Sequence, residues 1–101
     1  MNTNLILKAL ANDNRLMIMQ WLKNPTKHFS SDKCDVQLQG VCVGLIEKKL
    51  SLSQSTVSQY LQQLQRADLI TMKRVGQWAF CTLNHVTVKA FMLDMQTRLT
   101  N

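Results

Sequence analysis

The run LSQSTVSQYLQQLQ, residues 52–65, is rich in hydrogen-bonding side chains and holds no charged one, in a chain whose formal net charge is +6. A glutamine amide donates and accepts in one plane and can pair in a bidentate way with adenine. Serine and threonine hydroxyls donate or accept, and a threonine methyl can meet a thymine methyl. Ser53, Gln54, Ser55, Thr56, Ser58, Gln59 and Gln62 are therefore candidates for reading base edges. Cations lie on the flanks instead: Lys48 and Lys49 before the run, Arg66, Lys73 and Arg74 after it, with Gln77 close by. Such a division suits double-stranded DNA, where phosphate contacts position a protein and base contacts specify the sequence.

The cysteines offer a second chemistry. Cys34, Cys42 and Cys81 form no even framework, so reduced thiols are the default. One reading makes Cys42 and Cys81 small buried hydrophobes and Cys34 an incidental loop residue. The other joins Cys34 and Cys42 in a redox pair, since the segment between them has no regular pattern and a cation, Lys33, stands beside Cys34. His28 and His85 stand apart, and neither reads as a ligand. No nucleophile–base pairing, facing carboxylates or phosphate-cradling glycine loop is visible, so an enzyme is not expected and no cofactor is called for.

These residues need a scaffold. The chain is 101 residues long and 46% hydrophobic, enough for one domain, 1–101, with one core. Twelve Lys and Arg against 6 Asp and Glu favour a polyanionic partner, nucleic acid before membrane. The start, MNTNLILKALANDNR, lacks a basic region followed by a long apolar one, and no apolar run would span a bilayer. A soluble, cytoplasmic protein with no membrane partner is expected.

Residues 3–10 read as a short helix. Asn12 then caps a second helix containing RLMIMQWLK (15–23), apolar almost all round, which Pro25 ends. Residues 24–40 show no period and read as a long connector. Residues 41–50 read as a third helix. Ser53 caps a fourth, in which Val57, Tyr60, Leu61 and Leu64 face a core. The link SLS makes the two a helix-turn-helix. In LITMKRVGQWAFCTL (69–83), β-formers flank RVGQ, a hairpin tip at Gly76. The last helix, 85–99, carries Val88, Phe91, Met92, Met95 and Leu99 at helical spacing. With Leu5 these form stripes suited to another subunit. Met17, Met19, Met92 and Met95 read as core. The expected fold is mostly α with a small β-hairpin, a winged helix-turn-helix in the order helix-helix-helix-helix-strand-strand-helix.

In LKALANDNRLMIMQWL, LSQSTVSQYLQQLQRADLI and KRVGQWAFCTLN the chain resembles the ArsR/SmtB family of winged-helix transcriptional repressors. The resemblance covers nearly the whole chain. It implies a homodimer built from the first and last helices, a palindromic operator, and repression relieved by a signal. Three departures stand out. Residues 24–40 are longer than the usual link. Ser51 occupies a turn where glycine is common. In GVCVGL, Cys42 matches the first metal-box cysteine, but Gly44 and Leu45 replace the second cysteine and the aspartate, and His85 and Asp94 do not match the other family site. No metal is therefore expected. The operator and the effector are not legible. A winged-helix module that binds only protein is the competing reading, and the steep salt dependence of DNA binding separates the two.

Overall fold

The protein is described from a computed structural model covering residues 1–30 and 35–101. Asn2 opens the first helix, α1 (Thr3–Leu10), by accepting from the Leu5 N–H. Asn12 does the same for Arg15 at the start of α2 (Asp13–Lys23). Each cap satisfies one of the free N–H groups that a helix start leaves. Arg15 itself is buried. Its Nε donates to the Ala9 carbonyl at 2.6 Å and its guanidinium lies 5.6 Å from the Tyr60 ring. One arginine thus closes the C-terminus of α1 and joins it to the helix-turn-helix.

The connector is more structured than its lack of period suggests. Pro25 begins a short helix, α3 (Pro25–His28), at a position where its missing N–H costs nothing. Phe29 then packs edge-on against Trp21, with ring centroids 5.9 Å apart. Further on, Asp35 accepts from the N–H groups of Gln37 and Leu38, a local turn.

The expected helix over 41–50 begins two residues late. Val41 and Cys42 form a strand, β1 (Val41–Cys42), and the helix α4 runs Val43–Leu50. Gly40 permits this. Its φ is +97°, and a Cβ there would lie 2.8 Å from the Cys81 carbonyl oxygen, so only glycine lets the backbones approach. The recognition helix α5 (Gln54–Arg66) follows, then β2 (Ile70–Val75), β3 (Trp78–Leu83) and α6 (His85–Leu99). The antiparallel sheet has the order β1-β3-β2, with Val41 opposite Cys81 and Ile70 opposite Leu83. Gly76, φ +63°, takes the first place of the two-residue loop, where a type II′ hairpin wants glycine.

One contiguous core runs from Ile6 through Ile18, Ile46, Val57, Leu61 and Leu64 to Phe91. Met19 belongs to it and Met95 packs against it, but Met17 and Met92 are exposed, which corrects their assignment as core residues. The fold is a winged helix-turn-helix, mostly α with a three-stranded sheet, extended by the short α3 and the two-residue β1. Among the described residues no helix is long and apolar enough to cross a membrane.

Candidate nucleic-acid interface

The turn between α4 and α5 rests on Ser51, which adopts the left-handed region (φ 56°, ψ 39°) that glycine occupies at lower cost. Its N–H closes onto the Glu47 carbonyl, so the helix end is satisfied despite the strain. Two residues on, Ser53 accepts from the Thr56 N–H at 3.2 Å and donates to the Thr56 hydroxyl at 2.9 Å. Both hydroxyls are engaged at the helix cap. The structure therefore gives Ser53 and Thr56 a capping role that comes before any role as readers.

The other end of α5 is equally fixed. Asp68 sits at φ 64°, its N–H bonded to the Gln65 carbonyl, while the Leu69 N–H reaches the Leu64 carbonyl. These two bonds, with Leu64 and Leu69 both fully buried, make a complete Schellman motif. Between the two caps, Val57, Leu61 and Leu64 are buried, and Gln54, Ser55, Ser58, Gln59, Gln62 and Gln63 stand exposed. The exposed residues divide. Gln54, Ser58 and Gln62 line a groove facing the hairpin, and Ser55 and Gln59 lie beyond its lining.

The groove has a volume of about 650 Å³ and lies between α4, α5 and the hairpin. Arg74 and Gln77 line it from the hairpin side, and Lys73 does not. Adjacent residues of a strand point to opposite faces, so Lys73 and Arg74 leave the hairpin on opposite sides. Gln65, Trp78 and Glu47 also line the groove, and the sequence reading missed all three. Gln65 was findable, three residues after Gln62 on one helix. Trp78 was findable as an aromatic beside a hairpin tip.

Lys48 and Lys49 occupy the last turn of α4, where cations suit the helix dipole. Lys49 Nζ lies 5.2 Å from the Trp21 ring centroid and 5.7 Å from that of Phe29. Its expected role at phosphate is thus shared with a cation–π seat on the aromatic pair.

The stripe assigned to another subunit is also revised. Phe91 is only 7% exposed within its own chain, a core residue, and Val88 and Met95 are half-buried against that core. Leu5 (42%), Met92 (59%) and Leu99 (76%) remain exposed, joined by Val86 and Leu93. Helix α6 is apolar on two sides. Spacing alone mixed the two, taking Val88, Phe91 and Met95 from the side that closes the chain's own core and Met92 and Leu99 from the exposed one.

Cys42 and Cys81 are both buried. Burial, with Cys42 nearby, pushes the Cys81 thiol up to about 12. Cys34, the other half of the redox pair, lies outside the described residues. Among the described residues no group of three His, Cys, Asp or Glu side chains is placed to hold a metal.

A helix-turn-helix with a glutamine- and serine-faced second helix, followed by a basic hairpin, defines a winged-helix DNA-binding regulator. Residues 39–72 match the model of the bacterial regulatory protein, arsR family. The chain is 47% identical over 76 residues to the uncharacterized HTH-type transcriptional regulator YbzH of Bacillus subtilis (strain 168), covering 74% of this chain and 76% of YbzH. It is 34% identical over 94 residues to the transcriptional activator HlyU of Vibrio cholerae serotype O1, covering 93% and 73%. The solved structure of HlyU from Vibrio cholerae N16961 superposes with a TM-score of 0.64 at 31% identity, over 94% of this chain and 88% of that one. The chain belongs to the ArsR family. It is a DNA-binding transcriptional regulator and not an enzyme.

Proposed function

We propose that the chain acts in the cytoplasm as a homodimeric repressor on a palindromic operator. The reading treats residues 1–101 as one DNA-binding domain with dimerising terminal helices. The observation that carries it is the outer face of α5, exposed, uncharged and rich in amides, opposite the buried Val57, Leu61 and Leu64. In this reading Gln54, Ser55, Ser58, Gln59 and Gln62 meet base edges. Ser53 and Thr56 hold the helix start. Lys48, Lys49, Lys73, Arg74 and Gln77 hold the backbone. The exposed Leu5, Met92 and Leu99 supply the dimer contact, with Val88 and Met95 at its edge and Phe91 as support from within.

Dimerisation on a two-fold axis sets two copies of α5 on half-sites about one helical turn apart, ~34–36 Å. The test is selection of bound duplexes from a random pool by the purified protein. An inverted repeat with centres roughly 10 base pairs apart is expected. An unpaired, single half-site consensus would refute the dimeric reading. The sign of regulation is tested separately by transcription in vitro from a promoter carrying the selected site. Repression is expected, and stimulation would align the chain with the activator named among its relatives.

A further inference from the structure

A second cavity, about 320 Å³ in volume, lies between the C-terminus of α2, the connector, β1 and β3, with the start of α6 at its edge. Its size is that of a small-molecule site. Its lining divides by polarity. Leu22, Val36, Val41 and Cys81 are buried and apolar. Lys23, Asn24, Gln37, Thr82 and His85 are polar and exposed. An apolar floor under a polar rim suits a small amphiphile rather than a hydrated ion. Two of the rim residues, Lys23 and His85, are bases, and no carboxylate side chain is among the described residues of the lining. Neither base makes an ion pair among the described residues. The rim therefore favours a negative head.

The connector builds this cavity. Asn24, Pro25, Val36, Gln37 and Gly40 all come from residues 24–40, a stretch long for so small a domain. Gly40 draws the connector against β3, since a Cβ there would lie 2.8 Å from Thr82 Cγ2. Cys81 stands between this cavity and the groove beside α5. Its thiol donates to the Met72 thioether at 3.0 Å, and Met72 lines that groove. A molecule seated between connector and β3 thus bears on the sheet that carries the wing.

We propose that this cavity is the effector site of the regulator and takes a small organic acid, its carboxylate at Lys23 and His85 and its apolar body on Leu22, Val36 and Val41. The binding step stands apart from the DNA-binding reading, and the effector role rests on it.

The probe is 4-fluorobenzoate, followed by fluorine NMR against the purified chain, with 4-fluorobenzyl alcohol as its uncharged counterpart. The acid should bind with a dissociation constant of about 1 mM or tighter, and the alcohol about tenfold more weakly. Lys23→Gln combined with His85→Gln changes two exposed side chains and leaves the core intact. It should weaken the acid by about tenfold and leave the alcohol unchanged. Lys8→Gln, which removes a base on α1, should change neither. Saturating acid at matched ionic strength should shift the affinity for the selected duplex, read by the anisotropy of a dye on the DNA, by about fivefold or more. The duplex should shift the affinity for the acid by the same factor. No binding of the acid at about 10 mM, equal binding of acid and alcohol, or undiminished binding by the double variant would overturn the proposal, as would a duplex affinity indifferent to bound acid. A chain that takes the acid and gives no rise in anisotropy with any duplex would overturn the DNA-binding reading, and the effector role with it.

Discussion

Helices α5 and α6 begin alike and end in different company. Each is capped by a side-chain oxygen, Ser53 accepting from Thr56 and Asn84 from Thr87, and each buries apolar residues against the same core. What they expose differs. Helix α5 shows water a face of amides and hydroxyls, and its apolar residues are covered. Helix α6 buries Phe91 and still exposes Val86, Met92, Leu93 and Leu99. A polar face can stay wet indefinitely. An apolar face left open to water gains when a partner covers it. In the reading proposed above the two helices thus divide the work: one is finished within the chain and faces DNA, the other is finished by a second copy.

The sharpest way to break this comparison is to truncate one apolar residue on each helix. Leu64→Ala should cost about 2–5 kcal/mol in a urea unfolding curve, because it opens a cavity under α5. Leu99→Ala should change monomer stability by no more than about 0.5 kcal/mol. Equal costs would show that α6 is as much a core helix as α5.

Next in size is the effect on assembly. Leu99→Asp places a charge on the proposed interface and should raise the dimer dissociation constant by about a hundredfold, ~2.7 kcal/mol, with the far-ultraviolet spectrum unchanged. Phe91→Asp should instead unfold the chain, since that side chain is already inside it. Sedimentation equilibrium separates the two, and a Leu99→Asp protein that still dimerises at native strength would place the interface elsewhere.

On α5 the expected loss is of choice rather than of fold. Gln59→Ala should reduce the preference for operator over random duplex by roughly 1–3 kcal/mol and leave the melting temperature unchanged. Lys73→Ala should lower affinity for both duplexes equally. A melting shift in Gln59→Ala without a change in preference would make the glutamine face merely a solvated surface.

The smallest effect concerns how α6 is held to α1. The Thr3 hydroxyl donates to Asp94 at 2.8 Å and, with Arg98 on the next turn, keeps that carboxyl below its usual range. A carboxyl depressed in the folded state stabilises above its unfolded pKa, about 3.9, and that support is lost as pH falls through the folded value. Acid titration of the native chain should therefore show a shallow loss of stability below about pH 4, reduced in Asp94→Asn. Superimposable acid limbs would show that the tether carries no stability.

The features legible in the sequence were those set by neighbours along the chain. Asn12 and Ser53 act as caps because a side chain three residues from an N–H can reach it in one helical turn. Gly76 marks the hairpin because the turn itself demands its backbone angles. What was not legible depends on distant partners. Val41 and Cys42 have no strand pattern of their own and become a strand only because β3 runs beside them and Gly40 lets it come close. Lys49 reads as a phosphate contact alone, and its second role, seated on Trp21 and Phe29, shows only in the packed chain. Phe91 and Met92 are equal candidates on an apolar helix, and only the packed chain says which one turns inward. Residues 24–40 concealed α3 because four residues are too few to show a period.

The burial of Cys81 gives the molecule a clock. With its thiol pushed up to about 12, only on the order of one in 10⁵ copies carries the reactive thiolate at neutral pH, against a few per cent for a thiol in water. Sealed between Val41 on β1 and Met72 on β2, it meets a thiol reagent only when the sheet parts. The rate at which Cys81 is alkylated in the native protein is therefore the rate or the population of that opening, according to whether the reagent outpaces reclosure. Each molecule keeps a chemical record of whether its wing has come away from its core.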